Sequence, residues 1–133
     1  MKAARLAAVA AALTIVTAAP VDAQHRPTDK GCRYYVDLAR TVGWPKAERA
    51  NLKRIMYRES RCYPEAINWQ DPHGGSWGLA QINLSNLGYM RRQGIAQTRE
   101  DLLNPRTNLK AALALWQLYG WRPWRGSSTT PVS

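Results

Sequence analysis

Arg58-Glu59-Ser60-Arg61, followed after a polar loop by Gly74-Gly75-Ser76-Trp77-Gly78-Leu79-Ala80-Gln81-Ile82-Asn83, is the stretch that organises this chain of 133 residues. Ala47, Ala50, Leu52, Ile55 and Met56 lead into it at helical spacing, so Glu59 or Ser60 closes a helix. The span Arg61 to Ser76 is rich in Pro, Asn, Asp and Gly and has little periodicity. It reads as a long loop or a small irregular sheet, and a loop of that length in a compact domain is usually functional. Beyond it a glycine-opened segment carries two amides, Gln81 and Asn83. An amide offers both a donor and an acceptor, as does the acetamido group of an amino sugar. One carboxyl at a helix end facing such a segment suits protonation of a sugar–sugar bond.

The rest of the chain reads as helices around that pair. Tyr35, Val36, Leu38, Ala39 and Val42 form a stripe over a first helix from Cys32 to Thr41, closed by Gly43. Pro45 stands where the next helix begins. After Gly78 short helical pieces are expected, broken near Gly88 and Gly94, with Thr98-Arg99-Glu100-Asp101 as a capping sequence. Asn104-Pro105 supplies an N-cap and a first-position proline to a helix carrying Leu109, Ala112, Leu113, Trp116, Leu118 and Tyr119, which stops at Gly120. Trp121, Pro123 and Trp124 follow as an aromatic hook. The fold class expected is mostly α, an α+β domain whose small irregular β or loop element forms one side of a cleft.

From Cys32 to Trp124 the chain resembles the lysozyme-like superfamily, and within it the soluble lytic transglycosylases and goose-type lysozymes. The resemblance implies that Glu59 is the sole acid and base and that Ser60 orients it. It implies that Gln81 faces the cleft, and that Asn108 matches the asparagine after the Asp-Pro or Asn-Pro turn of relatives. For Asn108 a buried capping side chain is the alternative, and for Asn83 a turn or helix cap. Gly75 and Gly78 are read as letting backbone approach the sugar, and Trp77 as facing Glu59 across the cleft. The candidate substrate-binding set is Ser60, Ser76, Trp77, Gly78, Gln81, Asn83, Asn108 and Tyr119, with no metal and no organic cofactor. Two departures from relatives stand out. Trp116-Gln117-Leu118-Tyr119 replaces their Ala-Tyr-Asn run, with Tyr119 as a substitute tyrosine, and Ala80 replaces a larger residue.

The acid count separates two chemistries. Protonating a leaving oxygen near neutral pH asks for a carboxyl against apolar surface, where its charged form is destabilised. Ile55 and Met56, a turn before Glu59, are candidates for that surface. Chicken-type lysozymes keep a second Asp two residues before the glycine of this run, and here that position is Ser76. With one acid, the acetamido oxygen assists at the anomeric carbon and the muramic 6-hydroxyl attacks internally, giving a 1,6-anhydro end. The rivals are a hydrolytic lysozyme using Asp71, whose Gln70-Asp71-Pro72-His73 setting also reads as a plain turn, and an idle wall-binding or phage-structural module.

Composition bounds the setting. Lys2 and Arg5 precede an apolar, Ala-rich run from Leu6 to Ala19, and Val21-Asp22-Ala23 resembles a signal-peptidase site. Residues 1–23 are read as a signal peptide, since the run is short for a membrane anchor. Residues 24–31 are read as a flexible leader, 32–125 as the domain and 126–133 as a disordered tail. Cys32 and Cys62 are the only cysteines, and export favours a bridge between them over zinc, for which His25 and His73 give no ligand spacing. Without residues 1–23 the chain keeps 17 basic and 8 acidic residues, a formal +9. That charge favours a polyanion or simply solubility. No nucleic-acid signature accompanies it, so the partner expected is the peptidoglycan strand, met by a monomer with no stable membrane insertion. Six Trp and six Tyr with no Phe suit sugar faces as well as half-exposed cores. Trp44 and Trp116 are assigned to the core, and Trp69, Trp77 and Trp124 to sugar stacking.

Overall fold

The computed structural model describes residues 29–127. Residues 1–23, read above as a signal peptide, residues 24–28 of the expected leader and residues 128–133 of the expected tail lie outside the described residues. Helix α1 spans Asp29–Thr41, so it begins three residues before the Cys32 start expected from its apolar stripe. The first turn runs into Cys32, which the bridge to Cys62 anchors. Gly43, at φ +101, turns the chain out of α1. The N–H groups of Val42 and Trp44 both go to Ala39 O there. A 3-10 turn at Lys46–Glu48 follows Pro45 and runs into α2, Arg49–Ser60, which buries Leu52, Ile55, Met56 and Ser60.

Helix α2 ends on two successive left-handed residues, Arg61 (φ 53) and Cys62 (φ 58). Their N–H groups are taken by Tyr57 O and Met56 O, at 2.9 and 3.1 Å. The Cys32–Cys62 bridge, Cα–Cα 5.3 Å, ties this end to the first turns of α1. It holds the residues just beyond Glu59 in a conformation that side chains rarely adopt.

The irregular middle forms a three-stranded antiparallel sheet in the order β1-β2-β3. Its strands are Ile67–Asn68, Ser76–Trp77 and Ile82–Asn83. Ile67 pairs with Trp77 and Trp77 with Ile82, while Asn68, Ser76 and Asn83 form the second row. Helix α3, Leu87–Arg92, passes through Gly88 without the expected break. Glycine only weakens a helix unless its φ turns positive, and it does so at Gly94, φ +67, where this helix has ended. The expected capping sequence forms as a reciprocal pair. Asp101 N donates to Thr98 Oγ1 (3.3 Å), and the N–H groups of Gln97 and Thr98 donate to Asp101 Oδ2 (2.8 and 3.0 Å). A short 3-10 turn, Glu100–Leu103, follows.

Helix α4, Pro105–Tyr119, starts at Asn104, whose side chain accepts from Thr107 N, and stops at Gly120. It buries Leu109, Ala111, Ala112 and Leu115 at the centre of the molecule. The aromatic hook folds back beside it. Trp121 stacks on Trp44 at 5.6 Å and 18° and meets Trp124 edge-on at 5.5 Å. Each buried indole N–H has an acceptor, Trp44 donating to Leu109 O, Trp121 to Glu48 Oε2 and Trp124 to Ala80 O. That satisfaction is what allows rings with a polar edge to stay inside. The hook continues as a 3-10 turn, Arg122–Ser127, which takes in Gly126 and Ser127.

Candidate active site

Glu59 lies in the last turn of α2 with its side chain 11% exposed. It lines an open cavity of about 480 Å³ together with Asp71, Ser76, Gln81, Asn83 and Trp124. The helix end contributes the acid, the sheet and its loop one wall, and the aromatic hook the other. Glu59 Oε1 accepts from Arg58 Nε (3.1 Å) and Nη2 (2.9 Å). The same Nη2 donates to Trp124 O. Arg58 therefore clamps the carboxyl to the hook, and sequence reading missed it because its second partner is 66 residues away. Ile55 and Met56 are fully buried in the core, and Glu59 has this arginine as a polar partner.

Ser60 is buried, with Oγ 2.7 Å from Leu79 O and 3.0 Å from Met56 O. It links the helix end that carries Glu59 to the turn that carries Gln81. Gln81 sits at φ 52. Its Nε2 donates to Ala66 O (3.1 Å) and Gly78 O (3.0 Å). Those two bonds orient the amide and leave its oxygen as the group to offer a ligand.

Several expected contacts are redirected. Trp77 does not line the cavity with Glu59, being 2% exposed with its indole N–H donated to Gly74 O. Neighbours along a strand point to opposite faces, so Ser76 reaches the cavity and Trp77 supports the sheet from behind. Trp124 lines the cavity but is 4% exposed, so little of it is open to a ligand. Gly78 is packed closely against protein on its Cβ side. A Cβ there would overlap Asn108 Nδ2 and Leu102 O, and φ is +80. Gly75 is similar, since a Cβ would lie 2.7 Å from Asn68 O.

Asn108 is fully buried and satisfies three backbone groups. Its Nδ2 donates to Trp77 O and Leu102 O, both at 2.8 Å, and its Oδ1 accepts from Ala80 N at 2.9 Å. It braces the Trp77-to-Ala80 segment from behind, outside the cavity lining. Asn83 caps the turn that follows it, accepting from Ser85 N, while its Nδ2 donates to Pro72 O and Ser76 Oγ. Tyr119 is 48% exposed near Arg122 and does not line the cavity with Glu59. Asp71 does line it, with Oδ1 3.0 Å from Asn68 Nδ2. Among the described residues no group of three or more His, Cys, Asp or Glu is placed to hold a metal ion.

A small α+β domain with a helix-end glutamate in an open cleft, opposite a Gly-Leu-x-Gln turn, defines a lysozyme-like protein. The chain belongs to the transglycosylase SLT domain family, which matches residues 44–121. The matched span includes Glu59, Gln81 and Asn108 and ends within the aromatic hook. No curated protein matches the chain. Family membership supports a transglycosylase-type function acting on peptidoglycan. No helix among the described residues is long and apolar enough to cross a membrane.

Proposed function

We propose that this protein is an exported lytic transglycosylase that cleaves the β-1,4 bond from N-acetylmuramic acid to N-acetylglucosamine. Glu59 donates its proton to the glycosidic oxygen as the bond to the anomeric carbon breaks. The acetamido oxygen of the muramic residue supports the developing positive charge. Glu59, now a carboxylate, takes the proton of the muramic 6-hydroxyl as that oxygen closes on the anomeric carbon. No water is consumed, and one 1,6-anhydro end is left. Arg58 holds the carboxyl through Oε1, and Gln81 offers its amide oxygen to an N–H or hydroxyl of the sugar.

The observation that carries this reading is the position of Glu59 in the cleft, with the uncharged Ser76 in the place where chicken-type lysozymes keep an aspartate. The Cys32–Cys62 bridge supports an oxidising location outside the cytoplasm, and residues 1–23 would be the export signal. Glu59→Gln keeps shape and removes the proton, so clearing of wall suspensions should fall by about 10²–10⁴-fold or more. An unchanged rate would remove Glu59 from the chemistry.

One observation favours a second reading. Asp71 lines the same cavity as Glu59, where a second carboxylate activates water in hydrolytic glycosidases. Mass analysis of released fragments separates the two, because anhydro ends are lighter than reducing ends by one water.

A further inference from the structure

Trp69 is 62% exposed, among the largest apolar side chains on the described surface. It belongs to the turn after β1 and does not line the cavity with Glu59. Its ring stands edge-on to Trp77 at 5.2 Å and 75°. Trp77 points away from the cavity, because Ser76 beside it on β2 points in. Trp69 therefore stands on the outer side of the sheet, braced by a buried ring and held in a defined orientation.

Arg99 completes the patch. Its guanidinium carbon lies 5.3 Å from the Trp77 ring centre and 5.9 Å from that of Trp69. Its Nε donates to Glu100 Oε1 at 2.9 Å, and both side chains are exposed, 49% and 62%. That bond holds the Glu100 carboxyl below its usual range, so the pair is charged and internally compensated. A compensated pair gives a polyanion little net attraction, which disfavours a nucleic acid or an anionic lipid surface. Arg99 lies over one part of the Trp69 ring, and what the patch offers is the rest of that exposed ring with guanidinium donors and carboxylate acceptors beside it. A pyranose presents the matching chemistry, with axial C–H groups on its face and hydroxyls, each both donor and acceptor, around its rim.

We propose that Trp69, flanked by Arg99 and Glu100, is a second carbohydrate-binding site outside the cleft, taking a sugar ring of a peptidoglycan glycan strand. It rests on the reading of the protein as peptidoglycan-acting. Its use is retention: a second foothold on an insoluble polymer keeps the cleft near uncut strands without touching the reacting bond. The effect follows from the raised local concentration that a linked second site provides.

The test is co-sedimentation of the full chain with purified insoluble peptidoglycan, in a Glu59→Gln background so that the polymer stays intact. Adding Trp69→Ala should weaken binding by about fivefold or more, the scale of one aromatic stacking contact. Trp69→Tyr should keep most of it, and Arg99→Ala should lose part. With Glu59 intact, Trp69→Ala should turn over a short soluble glycan at the parent rate. Thermal melts check folding, with Trp69→His read instead if the alanine variant unfolds. Unchanged sedimentation of Trp69→Ala overturns the site, and so does a parallel fall in soluble turnover, which would place Trp69 in the cleft. If the parent protein itself neither sediments with nor cleaves the polymer, this inference falls together with the reading of the cleft.

Discussion

Asn108→Ala should be among the most damaging substitutions outside the cleft, although Asn108 touches no ligand in the mechanism above. The side chain is fully buried and serves Trp77 O, Leu102 O and Ala80 N at 2.8, 2.8 and 2.9 Å. Alanine removes all three partners at once. A buried polar group left without a partner costs about 1–3 kcal/mol. The Ala80 N–H bears that in full, and the two carbonyls less if they shift toward other donors. A total of about 3–6 kcal/mol follows, a large share of the roughly 5–15 kcal/mol that holds a domain together. At about 5 °C per kcal/mol for a domain of this size, the melting midpoint should fall by about 15–30 °C. Far-UV circular dichroism during heating, with the disulfide intact, measures it. Asn108→Asp tests the cause, since it keeps the shape and the acceptor for Ala80 N while replacing two donors with a charge against carbonyl oxygens. It should be comparably unstable. Gly78→Ala should also be destabilising through its overlap with Asn108 and Leu102, and its cost should be smaller in the Asn108→Ala background because one overlap is gone. A melting midpoint of Asn108→Ala within a few degrees of the parent would refute the reasoning, showing that water or relaxation satisfies the three groups.

Three further outcomes are expected. Replacing Cys32 by Ser opens a loop with a sequence separation of 30 and should cost about 3–4 kcal/mol, read from urea unfolding with and without reductant. Asp101 accepts from the N–H groups of Thr98 and Gln97, which lowers its pKa below the ordinary 3.8. A depressed carboxylate adds stability that is present above the ordinary value and lost as pH falls through the folded value. The stability gap between the parent and Asp101→Ala should therefore be steady near neutrality and narrow below about pH 4, as denaturation at stepped pH would show. Asp71→Asn should fold, retain most activity and still release anhydro-ended fragments. A fall of orders of magnitude, with reducing ends dominating the parent's products, would instead make this a hydrolase.

The features legible from residues alone are those whose causes lie close in the chain. Helix α4 carries its own start and stop, an asparagine cap with a first-position proline and then Gly120. Helix α2 brings Glu59 to its end through an apolar stripe that needs no knowledge of its partner. The reciprocal cap at Thr98 and Asp101 spans three residues. The bridge was readable differently, from there being only two cysteines to pair, and the Gly-rich middle was readable only as a long loop or a small irregular sheet, its three strands being fixed by their pairing. Packing at long range decided the rest. Residue type makes Trp77 and Trp124 equally suited to a sugar or to a core, and only the fold over them leaves each under a tenth exposed. Gly78 and Asn108 read as site residues because they stand at motif positions. Their actual partnership, across thirty residues of chain, exists only once α4 lies behind the sheet. Arg58 reaches Trp124 across 66 residues. Periodicity and caps record what a segment does with its neighbours in sequence, whereas the burial of a particular ring or amide depends on which distant surface closes over it.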